Sequence, residues 1–340
     1  MRMKKVLCFG ELLLRISPAL HGEWIKQARM NVYVGGAELN VANALARWHI
    51  QVKYFTAIPD NYLSKEIVEQ LQENNIDISA IKFSGNRIGT YYLPQGTDLK
   101  NAGVIYDRAA SSFSELKTGT IDWDEVLRDV EWFHFSAICP ALSEDAASLC
   151  KEALEAASQK GLVISTDLNY RSKLWQYGKQ PLEIMPGLVQ YCNVIMGNIW
   201  SAGTLLGINA DTILLASDKK EAYLQQAQHT ALEIMNQYSQ CSVVAHTFRF
   251  DIAEGVRYYA SFNNRDDAQY VSQTFNVEHV IDKVGTGDCF MAGLIYGISH
   301  AKSPQHIINF AAAAAVGKMH EVGDCTQQTI ADIERKAFSK

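Results

Sequence analysis

The chain has 340 residues, 48% of them hydrophobic, 20% charged and 10% aromatic, a globular composition with enough length to bury a large core. Thirty-one Lys and Arg against thirty-seven Asp and Glu leave a formal charge of -6, which argues against a partner held by phosphate neutralisation, whether nucleic acid or an anionic membrane surface. A small anionic ligand stays open, because net charge says little about one pocket.

In chain order, the first apolar run (6–14) follows two lysines and faintly imitates a secretory leader. Glu11 interrupts it and no small-residue cleavage site follows Ile16, so a cytoplasmic protein is expected. Strands are predicted over 6–9, 52–57, 132–136, 163–167, 194–196 and 243–248, and helices over 39–48, 64–73, 143–159 and 221–238. In 143–159 the apolar positions 146, 149, 150, 153, 154 and 157 recur at three and four, with Ser143 as N-cap. The alanine run 311–315 reads as a helix whose small side chains admit a close neighbour. Such alternation predicts a doubly wound, mostly parallel α/β sheet with helices on both faces, and a ligand site beyond the carboxyl ends of its strands. Two segments break the alternation, roughly 12–34 and 87–112. Both are rich in Tyr, Val and Ile, with no helical pattern. They are expected to form a small β-sheet lid on one domain spanning 1–340, and its strand edges invite a homodimer.

The seven cysteines are scattered, odd in number and never spaced C-x-x-C, so neither a disulfide framework nor a structural zinc site is expected. The histidines show no metal-ligand spacing, and His134 and His246 read as core residues of strands. No metal ligand can be named. Neither G-x-x-x-x-G-K-[ST] nor a G-x-G-x-x-G after the first strand is present, which removes the P-loop and dinucleotide readings.

Chemistry concentrates in two short motifs. Asp282-Lys283-Val284-Gly285-Thr286-Gly287-Asp288 precedes an apolar helical run. Its glycines allow tight backbone, and the free amides at the following helix start suit phosphate oxygens. Asp288 there is either a base for an attacking hydroxyl or a first-turn helix acid. An Asp at a helix N-terminus is expected to be ionised. Near the start, Gly35-Gly36-Ala37 opens a helix carrying Asn40 and Asn43 three residues apart, a pattern open to binding or to packing.

Together these motifs resemble the two signatures of the ribokinase-like (PfkB-type) carbohydrate kinases, and the resemblance covers essentially the whole chain. It implies an α/β kinase with a β-lid that transfers the γ-phosphoryl group of ATP to a sugar hydroxyl with Mg2+. Carried over, Asp288 matches the base, Gly285, Thr286 and Gly287 the anion hole, and Gly35, Gly36 and Asn40 the sugar contacts. Within the family, 89–93, 105–112 and 167–175 are similar to the 2-keto-3-deoxygluconate kinases, in Tyr-x-Arg and Asp-x-Asn-x-Arg-x-x-Leu-Trp patterns. That implies substrate contacts from Tyr91, Tyr106, Arg108, Asn169 and Arg171, the arginines matching a sugar carboxylate with their planar forks. Read without the resemblance, the tyrosines fit an ordinary strand face, and the arginines fit surface ion pairs or ATP phosphates. On the nucleotide side the resemblance implies Asn198, Thr247 and Arg249, with Asn309 and Ala312 bordering adenine. Asp324, after Gly323, would close the substrate side.

The expected activity is phosphorylation of the terminal C6 hydroxyl of 2-keto-3-deoxygluconate. The alternatives are a fructokinase or another sugar or nucleoside kinase of the fold, and a weakly catalytic nucleotide- or sugar-binding protein. The last is motivated by Ser201, which stands where the family's Asn-x-x-Glu pattern carries an acid, three residues after Asn198. With ATP and a sugar acid as ligands, the pocket is expected to be locally positive.

Overall fold

Strand Lys5–Phe9 shows why the centre of the protein is a parallel sheet. Its residues are buried from Val6 onward, with Val6 and Cys8 in the apolar core of one face and Leu7 and Phe9 in that of the other. A strand covered on both sides reads as a continuous apolar run instead of an alternating one. It pairs in parallel with Val52–Phe55 and Val130–Ser136, and Val163–Asp167, Val194–Gly197 and Val243–Ile252 follow in the same sense. The structure is a computed structural model describing residues 5–19, 24–94, 103–216, 219–266 and 268–338. Residues 20–23 and 95–102 of the expected lid segments lie outside them.

One face of this ten-stranded sheet carries helices Ala37–Arg47, Thr286–Ser299 and Pro304–Lys318, and the other carries Glu144–Gln159, Pro181–Val189, Ile199–Leu206 and Lys220–Gln237. In Glu144–Gln159 all six apolar positions read from the sequence are buried, and Ser143 Oγ accepts the Ala146 amide at 3.0 Å. The alanine run lies in Pro304–Lys318, where a Cβ on Gly293 of the neighbouring helix would come within 2.6 Å of Ala311 Cα. Among the described residues no helix is long and apolar enough to cross a membrane.

Two strand readings change. The predicted strand 52–57 is two, because Ala57–Ile58 leaves the main sheet to pair with Lys82–Phe83. The strand starting at Val243 runs on to Ile252 and turns back as Gly255–Asn264, with Gln269–Val271 and Phe275–Val277 beside it, an antiparallel extension absent from the sequence reading. His134 and His246 are buried, and burial lowers them to about 3 and about 4. His134 meets Ser165 Oγ at 3.0 Å, whereas His246 Nδ1 has no partner among the described residues. All seven cysteines are free, and only Cys325 is not fully buried.

The second, four-stranded sheet is drawn from the two segments that broke the alternation. Its order is Asn31–Gly35, Leu13–Ser17, Gly89–Tyr92 and Ile105–Asp107. Its register aligns Tyr33, Arg15, Tyr91 and Tyr106 in one row across the sheet. Because side chains alternate, Val32, Ile16, Tyr92 and Ile105 form the next row on the opposite face, and Val32 and Ile105 are more than half exposed.

Candidate active site

A cleft lies at the carboxyl ends of the parallel strands and is roofed by the smaller sheet. Tyr91, Tyr106 and Arg108 enter from above, Asp167 to Arg171 and Asn198 rise from strand ends, and Thr247 and Arg249 come from strand Val243–Ile252 just past its parallel pairing. The turn 285–288 and Asp324 close it. Strand ends are a natural floor for such a site, because the backbone leaves the sheet there with groups to spare.

Gly285 is the N-cap of helix Thr286–Ser299 and has φ 78°, a left-handed conformation that glycine adopts without strain. A Cβ there would also collide with the carbonyl oxygen of Asp324. This turn presents the first amides of a fourteen-residue helix to the cleft, the arrangement that favours bound anions. Thr286 Oγ1 is buried there without a partner among the described residues.

Asp288, in the first turn of that helix, is 8% exposed and accepts a hydrogen bond from Asn40 Nδ2 at 2.7 Å. The two sequence motifs, 248 residues apart, therefore meet at one carboxylate. The expectation of an ionised helix-start acid is overturned. Burial pushes Asp288 up to about 8, with Asp167 and Glu38 adding to the rise and Asn40 and Arg171 opposing it. Desolvation outweighs the helix terminus because the charge sits in a dry wall, among other acids, instead of in solvent.

Gly36 lies on the cleft wall, but Gly35 does not. A Cβ on Gly35 would collide with Asp324 Oδ2, so its smallness makes room for that carboxylate instead of for a ligand. Asp324 in turn accepts Tyr91 O–H at 3.0 Å.

The two arginines differ. Arg108 reaches the cleft, yet its Nε and Nη2 both donate to Glu11 Oε2, the former at 2.8 Å, with both side chains almost fully buried. The charge expected for a substrate carboxylate is already matched by the acid that interrupted the first apolar run. Arg171 forms no ion pair among the described residues. Its Nη1 donates to the Tyr170 carbonyl at 3.3 Å, and its Nε is buried without a partner among the described residues. The lining mixes charges: Arg108, Arg171, Arg249 and Lys283 stand beside Asp167, Asp288 and Asp324. The locally positive pocket expected from the ligands thus has more cationic side chains than acidic ones, with the acids close among them. Removing Arg108 should strand the Glu11 carboxylate, so Arg108→Ala is expected to lower stability by about 3 to 5 kcal/mol. Urea unfolding checks this, and an unchanged midpoint would mean that the pair does not hold in solution.

Asn169, Thr247 and Arg249 line the cleft. Asn198 does too, although its Oδ1 caps helix Ile199–Leu206 by accepting the Ser201 amide at 2.8 Å. Asn309 and Ala312 are not brought to this cleft. Ala312 is 0% exposed inside the helix core, and Asn309 accepts from Gln305 Nε2 at 3.1 Å, one turn back on its own helix. A helical pattern cannot say which neighbour covers each face. Among the described residues no three His, Cys, Asp or Glu side chains are grouped to hold a metal.

Two acids and one base escaped the sequence reading. Glu11 pairs with Arg108. Glu38, 1% exposed, accepts the Ser136 amide at 2.9 Å. Arg15 is buried between Asp282 and Asp324. Charges inside apolar runs, as at Glu11 and Arg15, are the signal that could have flagged two of these.

The sequence profile described as pfkB family carbohydrate kinase matches residues 3–330. The chain belongs to the pfkB family of carbohydrate kinases. Among relatives of this pfkB kinase, the 2-dehydro-3-deoxygalactonokinase of Haloferax volcanii is 26% identical over 332 residues, covering 97% of this chain and 96% of that one. The crystal structure of 2-dehydro-3-deoxygluconokinase from Thermotoga maritima is 33% identical, with a TM-score of 0.88 over 98% of this chain and 99% of its own. A fructokinase from Xylella fastidiosa with bound ATP, 18% identical, shares the fold with a TM-score of 0.74 over 98% of both chains.

Proposed function

We propose that this pfkB kinase is an ATP-dependent sugar-acid kinase that phosphorylates the terminal C6 hydroxyl of 2-keto-3-deoxygluconate. One observation carries the reading: a cleft that holds a buried carboxylate at an anion-binding helix start also holds a cation, Arg171, with no acid partner among the described residues. The names of the Haloferax and Thermotoga relatives, both kinases of dehydro-deoxy sugar acids, support it.

In this reading Asp288 takes the proton of the terminal hydroxyl as its oxygen bonds to the γ-phosphorus. The bond from phosphorus to the β–γ bridging oxygen breaks, and ADP leaves. The amides of 285–287 stabilise the charge on the transferring group, and positioning does the rest. A pKa near 8 makes Asp288 a stronger base than an exposed carboxylate, once deprotonated. Arg171 holds the substrate carboxylate, with Asn40, Tyr91, Tyr106, Asn169 and Asp324 around the sugar. Thr247, Arg249 and Asn198 face the nucleotide. Magnesium enters with ATP, as part of that substrate, in keeping with its preference for phosphate oxygens and water. The smaller sheet acts as a lid on a single domain in a cytoplasmic enzyme. Its outward row of Val32, Ile16, Tyr92 and Ile105 suits a homodimer.

A neutral-sugar kinase, such as a fructokinase, is the second reading. The Glu11–Arg108 pair favours it, because it removes one of the two charges a sugar acid would use. A coupled ADP-release screen decides between them. Turnover on 2-keto-3-deoxygluconate or its galactonate epimer is expected to exceed that on fructose and ribose. Faster turnover of neutral sugars would establish the second reading, and ATP binding with no ADP formed on any acceptor would sink both.

A further inference from the structure

We infer that Arg15 is a positioning residue for phosphoryl transfer, the point at which the smaller sheet holds the anion-binding turn and the Asp324 wall in register. The inference rests on the kinase reading of the 285–288 turn. Arg15 lies in strand Leu13–Ser17 with its side chain fully buried. Its Nη2 donates to Asp282 Oδ2 at 2.6 Å and its Nε to Asp324 Oδ1 at 2.7 Å, partners 267 and 309 residues away in the chain. The guanidinium carbon lies 4.5 Å from the centre of the Tyr33 ring.

Each aspartate passes the constraint on with its other oxygen. Asp282 Oδ1 accepts the amide of Val284 at 3.0 Å, one residue before Gly285. Asp324 Oδ2 accepts the hydroxyl of Tyr91, Arg15's neighbour in the same sheet row, and the Asp324 carbonyl packs where a Gly285 Cβ would stand. One guanidinium thus ties the roof of the cleft to the turn that would receive the phosphoryl group. Arg suits the task because its planar fork reaches two carboxylates at fixed angles, which a single ammonium does not. Stability alone does not account for the arrangement. Buried ion clusters return little net stability against apolar replacements, and here Arg15 Nη1 is left without a partner among the described residues.

The test uses Arg15→Ala and Arg15→Lys, assayed with whichever acceptor the wild type turns over fastest. Folding is checked by thermal unfolding, and amide exchange is followed over 282–288. A small displacement of aligned groups is costly, so Arg15→Ala is expected to lower kcat about 100-fold with KM for ATP within about threefold of wild type. Added guanidinium ion should recover about tenfold of that loss and leave the wild type unchanged, and the Val284 amide should exchange faster. Arg15→Lys should fall between the two. A folded Arg15→Ala with wild-type kcat overturns the inference, as does a loss that guanidinium leaves untouched while exchange over 282–288 is unchanged. Should the alanine variant fail to fold, Arg15→Lys decides: a lower kcat with faster Val284 exchange supports the role, and wild-type kcat refutes it. If the wild type phosphorylates no acceptor, the kinase reading fails, and exchange at Val284 alone judges Arg15.

Discussion

Asp288→Asn is expected to lower kcat by about three to four orders of magnitude while ATP and sugar acid still bind, because it removes the proton acceptor and keeps the shape. Asn40 Nδ2, which donates to Asp288 at 2.7 Å, can donate equally to the new amide oxygen, so the loss should fall on kcat and not on KM. Single-turnover phosphorylation with isotope-labelled ATP measures it, and a variant that phosphorylates at the wild-type rate would remove Asp288 from the mechanism. The raised pKa adds a pH signature. Since burial first, then Asp167 and Glu38, hold Asp288 at about 8, kcat/KM of the wild type should climb with pH and level off above that value. Stability carries the opposite sign. A carboxyl whose folded pKa lies above its unfolded one favours the native state only while protonated, so its contribution fades between about 4 and about 8 as pH rises. The Asn variant lacks that loss. Its Tm should therefore exceed the wild-type value more at pH 9 than at pH 5, as calorimetry would show.

Arg171→Ala should raise KM for the sugar acid about 100-fold and change KM for ATP little, in line with the loss of a charge-assisted, two-oxygen contact in a shielded site. The arginine has no carboxylate partner among the described residues, so its removal strands no acid and the fold should survive. Arg108 is the contrast. Its charge is matched by Glu11, and truncating it is expected to cost stability first. Measuring KM for 2-keto-3-deoxygluconate and for a neutral hexose in both variants separates the roles. A specific loss on the sugar acid in Arg171→Ala supports the carboxylate anchor. An equal loss on both sugars, or on ATP alone, would move Arg171 to the nucleotide side.

What could be read without coordinates was whatever short-range pattern encodes. Apolar periods marked the strands of the central sheet and helix Glu144–Gln159, down to its Ser143 cap. The glycine turn at 285–287 was legible because an anion-binding helix start is built from adjacent residues and their own amides. The hairpin Val243–Asn264 was missed in part, since its return strand is defined by pairing with a neighbour and not by its own pattern. The surroundings of Asn309 and Ala312 were not legible for the related reason that a helical period names a buried face but not the element that covers it.

The sequence by itself determined a parallel α/β kinase scaffold, a glycine turn at a helix start and the acid beside it. Only the tertiary structure decided how those groups are charged and paired. Desolvation turned Asp288 from an ordinary helix-start acid into a carboxyl that titrates near 8. Glu11, 97 residues from Arg108, took one of the two arginines, leaving Arg171 as the cation without an acid partner among the described residues. Arg15 drew Asp282 and Asp324 together. Secondary structure follows from neighbours a few residues apart, whereas a charge responds to whatever the whole chain packs around it. The chemistry of the cleft is therefore set by contacts that no local pattern contains.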